Sequence, residues 1–108
     1  MKKHHNKLIR DKIPEIIKRA GDGCKISVLS EENYKQELLK KLVEEAQEVL
    51  EAGGDQRGLE KELADVFEVI DCTIKTFGLD REAIKKKQAE KRGKRGGFDE
   101  QIFLEYTH

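Results

Sequence analysis

Apolar side chains recur at helical spacing in two consecutive stretches of the chain. At about 100° per residue, Leu38, Leu39, Leu42, Val43, Ala46, Val49 and Leu50 fill one arc of a helix expected over residues 31–52. Leu63, Val66, Phe67, Val69, Ile70, Ile74 and Phe77 likewise gather into one stripe on a helix expected over residues 59–77. Both arcs are broader than one antiparallel hairpin can cover. The pattern therefore predicts a helical bundle completed by self-association, as a dimer or a tetramer.

The polar positions that interrupt this pattern are acidic. Glu45 and Glu48 form an E-x-x-E pair at the edge of the first arc, and Glu62 and Asp65 form an E-x-x-D pair in which Glu62 falls inside the second. An unpaired carboxylate on an apolar stripe would cost several kcal/mol by desolvation. Glu62 must therefore be protonated, paired with a base or bound to a metal. Metal is the reading that uses all four carboxylates, with two facing helices each gripping a hard cation from one side. Magnesium prefers oxygen donors and is usually held by a few carboxylates together with substrate phosphates. One or two Mg²⁺ ions fit such a cradle, with Mn²⁺ as a substitute. The chemistry this permits is hydrolysis of a phosphate ester or anhydride by an activated water.

Local signals mark the remaining elements. Pro14 suits the first turn of a short helix through "PEIIKRA" that Gly21 ends. Ser30 is placed to cap the second helix, Gly53 and Gly54 to end it, Gly78 to end the third and Asp80 to cap a fourth. The fourth helix is strongly basic and is expected to give way to a flexible, glycine-rich tail over about residues 91–100. Residues 24–30 read as a strand or an extended arm, and residues 101–107 as a candidate strand, which together suggest a small β pair.

Composition narrows the function classes. The chain's 108 residues fit one domain with a modest core. Its 22 basic and 22 acidic residues cancel, which argues against bulk electrostatic binding to duplex nucleic acid. Cys24 and Cys72 stand without a metal-binding or disulfide pattern and read as reduced thiols. No stretch approaches the roughly 20 apolar residues of a membrane span, and no secretory h-region follows the basic N-terminus, so a soluble, cytoplasmic protein is expected. Cations flank the acidic pairs in sequence. Of these, Lys7, Arg10, Lys94 and Arg95 are the candidate contacts to substrate phosphates.

These segments together resemble the all-α nucleoside triphosphate pyrophosphohydrolases, a superfamily that includes MazG-like proteins, dimeric dUTPases and phosphoribosyl-ATP pyrophosphohydrolase. "KLVEEAQEVLEA" followed by "KELADVFEVID" is similar to the family's paired acidic motifs, and "NKLIRDKIPEII" with "KRGGF" to its small phosphoribosyl-ATP pyrophosphohydrolase-like branch. The resemblance covers most of the chain. It implies an all-α bundle, metal binding at Glu45, Glu48, Glu62 and Asp65, and cleavage between the α and β phosphates to give a nucleoside monophosphate and pyrophosphate. A house-cleaning role against surplus or non-standard nucleotides is the expected context. The competing class is a catalytically silent helical oligomer that binds a nucleotide or, through the "RGKRGGF" tail, RNA.

Overall fold

The computed structural model describes residues 2–108. They form four helices: α1 (Ile13–Arg19), α2 (Glu31–Glu51), α3 (Gln56–Thr76) and α4 (Arg81–Arg95). Contacts divide the chain into two compact units that meet in sequence between Gly78 and Leu79.

The first unit is built on a hairpin of α2 and α3. Ser30 caps α2 by accepting a bond from the Asn33 amide at 3.2 Å, with Glu31 and Glu32 in the first turn facing the positive end of the helix dipole. Tight backbone bonds, Gly53 N to Leu50 O at 3.2 Å and Asp55 N to Ala52 O at 3.0 Å, reverse the chain. Asp55 then caps α3 by accepting from the Arg57 amide, so the helix begins at Gln56 and carries Gly58 inside it, earlier than the apolar period indicates. At the far end Gly78 takes φ +65, a left-handed conformation that favours glycine and ends the helix. The two helices run antiparallel, because Tyr34 at the start of α2 meets Cys72 near the end of α3.

Only a narrow seam between them is buried. Leu38 retains 4% of its surface and Val69 8%. The flanks of both expected arcs stay open: Leu39, Val43 and Leu50 on α2, and Leu63 and Phe67 on α3, are exposed, with Val43 at 71%. That exposure is what two broad stripes on one hairpin require. α1 carries Pro14 in its first turn, ends at Ala20 before Gly21 at φ +89, and buries no residue.

In the second unit, Asp80 caps α4 by accepting from the Glu82 amide at 3.0 Å. The helix continues through Lys91, Arg92, Gly93 and Lys94 to Arg95, so half of the tail expected to be flexible is helical. One glycine costs a helix only about 1 kcal/mol relative to alanine. Gly96 at φ +81 ends it. Among the described residues no strand forms, and the expected β pair is therefore not present: residues 24–30 and 101–107 are irregular, with Val28 and Phe103 exposed. Neither segment finds a ladder partner for its backbone among the described residues, and β-branched and apolar content alone does not supply one. The fold is all-α.

Candidate metal centre

Two turns of helix place four carboxylates together. Glu45 and Glu48 stand three residues apart on α2, Glu62 and Asp65 three apart on α3, and the antiparallel pairing sets the two doublets face to face. One oxygen from each lies within 4.8 Å of every other. Glu45 is the deepest of them, retaining 7% of its surface. The periodicity points instead to Glu62 as the inward one. Helix α3 lies across the edge of the α2 arc and covers Glu45, which the period of α2 alone does not reveal.

The electrostatics of this cluster are unresolved within the protein. Glu45 Oε2 and Glu62 Oε2 are both buried without a hydrogen-bond partner. Burial pushes the Glu45 carboxyl above its ordinary value, and the hydrogen bond and charge of the adjacent Glu48 push it the same way, while Lys41 opposes them. Lys41 Nζ lies 3.4 Å from Glu45 Oε1 and 3.3 Å from Glu44 Oε1, and supplies the nearest balancing charge from within α2. Two orphaned buried oxygens in an all-oxygen donor set fit a hard divalent cation. The residues present therefore suit the metal that their spacing implies.

Of the four expected phosphate-binding cations, Arg10 reaches this cluster and Lys7 reaches Glu44 beside it. Arg10 Nη2 donates to Asp65 Oδ1 at 2.8 Å, and Lys7 Nζ lies 3.5 Å from Glu44 Oε1. Lys94 and Arg95 belong to the second unit, where they line a shallow groove with Lys87, Glu90 and Lys91 on the last turns of α4. Glu44 pairs with Lys7 and Lys41 and stays outside the group of four, and Glu68 and Asp71 lie outside it as well, on exposed positions of α3. His4 and His5 are exposed.

Lys41 escaped the sequence reading, although its i,i+3 and i,i+4 spacing to Glu44 and Glu45 is a readable signal. So did a polar contact that crosses the hairpin. Tyr34 Oη and Cys72 Sγ lie 2.9 Å apart, with Thr76 Oγ1 at 3.9 Å from the same sulfur. The thiol contact and burial push the Tyr34 phenol above its ordinary value. Neither Cys24 nor Cys72 is in a disulfide, as their isolation in sequence suggests.

No helix of the described residues is long and apolar enough to cross a membrane. No curated protein and no solved structure matches the chain. The MazG nucleotide pyrophosphohydrolase domain matches residues 33–96, a span that holds both acidic doublets, all of α3 and all of α4. With that match covering more than half of its length, the chain belongs to the MazG nucleotide pyrophosphohydrolase family.

Proposed function

We propose that this protein is a Mg²⁺-dependent nucleoside triphosphate pyrophosphohydrolase that cleaves between the α and β phosphates and releases a nucleoside monophosphate and pyrophosphate. The observation that carries this reading is the four-carboxylate cluster with its two orphaned buried oxygens. Bound there, Mg²⁺, or Mn²⁺ in its place, would neutralise phosphate charge and lower the pKa of an attacking water. Glu45, Glu48, Glu62 and Asp65 hold it. Glu45 and Glu62 bring the buried oxygens that have no other partner, and Lys41 restrains Glu45 from the side away from Glu48 in sequence. Arg10, paired with Asp65 of the cluster, and Lys7, paired with Glu44 beside it, bind substrate phosphates, and Lys94 and Arg95 are the further candidate phosphate contacts.

The whole chain acts as one domain in this reading, and the exposed flank around Val43, Leu50 and Phe67 is covered by another copy in a homodimer or homotetramer. The setting is cytoplasmic house-cleaning of surplus or non-standard nucleotides. The test is pyrophosphate release from a panel of ribo- and deoxyribonucleoside triphosphates and phosphoribosyl-ATP, with Mg²⁺ and with EDTA. Metal-dependent release that Glu48→Ala abolishes supports the reading. Nucleotide binding without release from any of them would overturn it in favour of a silent binding protein.

A further inference from the structure

The segment before α1 is tied to both helices of the hairpin, and at one of its two ties it reaches the acidic cluster itself. Lys7 reaches Glu44 on α2, and Arg10 reaches Asp65 on α3, 55 residues away in sequence. Its end is fixed, because the Arg10 carbonyl accepts the Ile13 amide at 3.1 Å at the start of α1. Arg10 thus supplies a positive charge to one of the four carboxylates that the cation would use. Glu45, more than nine-tenths buried, has Lys41 beside its Oε1, but its Oε2 and that of Glu62 are buried without a hydrogen-bond partner.

We propose that Arg10 stands in for the metal at Asp65 and that the two exchange: loading the cluster frees Arg10 from the carboxylate, and the freed guanidinium becomes available to a substrate phosphate. The exchange rests on the acidic cluster being the metal site. It makes phosphate capture by Arg10 conditional on prior metal binding, so the cation site and the anion site open in order. The pair is suited to release. Arg10 is more than half exposed and Asp65 partly so, and exposed ion pairs are weak enough for a divalent cation to displace. A guanidinium suits both partners, since carboxylate and phosphate offer the same paired acceptors to its planar fork.

The exchange is tested on the full chain by calorimetric titration with Mn²⁺ and by trypsin cleavage after Arg10, neither of which reads activity. Arg10→Gln removes the competitor and should tighten Mn²⁺ binding by about two- to fivefold, the worth of an exposed pair. Lys7→Gln removes an equal charge from the same segment, but its partner Glu44 is not one of the four carboxylates, so it should tighten binding less. In the unaltered protein, Mn²⁺ should speed cleavage after Arg10. Equal tightening by Lys7→Gln would reduce the effect to general charge and overturn the exchange, as would Mn²⁺ binding that leaves both Arg10→Gln affinity and cleavage unchanged. Failure of the unaltered protein to bind Mn²⁺ at all would remove the metal reading itself, and the exchange with it.

Discussion

The α2/α3 hairpin and the α4 unit are built on opposite terms. In the hairpin, apolar seams meet across two helices, and Leu38 and Val69 are buried because each helix supplies what the other lacks. In the second unit, α4 is capped by Asp80, closed by Gly96 and buries nothing, so its helicity comes from local interactions. The difference teaches where chemistry can be built. Carboxylates gathered on the hairpin are held at fixed spacing and partly out of water, where their charge needs an external partner. Cations on α4 are exposed, with long side chains that can adjust.

The largest effects should therefore fall on the hairpin. Glu48→Ala or Asp65→Ala should reduce pyrophosphate release to below about one hundredth, since loss of outer-shell partners alone costs 10–100-fold. Both should fold, because each removes one of several crowded like charges, and both should lose the rise in melting temperature expected for the unaltered protein in millimolar Mg²⁺. Lys94→Ala with Arg95→Ala should lower kcat/KM by about tenfold, the scale of a weakened charge contact, and keep the Mg²⁺ effect on melting. If the α4 pair proves as damaging as the carboxylates, the division between the two regions fails.

Stability should divide in the same way. Leu38→Ala removes a buried side chain and should cost about 2–4 kcal/mol in denaturant unfolding. Ile84→Ala on α4, where the side chain is substantially exposed, should cost less than about 1 kcal/mol.

Glu45 gives the hairpin a pH dependence. Because its carboxyl is raised above the ordinary 4.5, the folded chain binds this proton more tightly than the unfolded chain. The protonated carboxyl carries no penalty below 4.5, and stability is lost as pH rises from there through the raised value. Metal-free protein should accordingly fall in stability relative to Glu45→Gln over that window, measured by urea unfolding at a series of pH values. Saturating Mg²⁺ should remove the fall, since it favours the ionised form. A constant difference across the window would mean that Glu45 titrates normally.

Much of this was legible because the signals are local. Ser30, Asp80, Pro14 and Gly78 each act within a turn of their own position, and the acidic doublets announce themselves at i,i+3 spacing on apolar-edged helices. What escaped depends on a partner. The depth of Glu45 is set by α3, and the pairing of Arg10 with Asp65 joins positions that no periodicity relates. The missing β pair fails for the same reason, since a strand requires a ladder and the composition of residues 24–30 and 101–107 cannot say where one is. The caps misled only where glycine intervened: Gly58 masked the start that Asp55 gives α3, and Gly93 suggested an end that α4 does not take.

Those two glycines offer the smallest and sharpest comparison, because the same substitution should act differently in each region. A Cβ at Gly93 meets nothing within 4 Å, and the residue lies inside α4. Gly93→Ala should therefore stabilise the helix by about 0.5–1 kcal/mol, by reducing the freedom of the unfolded chain. At Gly58 the added carbon would stand 3.1 Å from Asp55 Oδ2 and 3.4 Å from the Ala52 Cβ. The first of these belongs to the side chain that caps α3. The cap must shift to admit it, and a lost cap costs about 1 kcal/mol, enough to cancel the gain in helix propensity. Amide exchange of α4 should thus slow in Gly93→Ala, whereas the first turn of α3 should exchange no more slowly, or faster, in Gly58→Ala. Equal protection in both would show that Asp55 yields without loss, and that the start of α3 is held by the packing of the hairpin rather than by its cap.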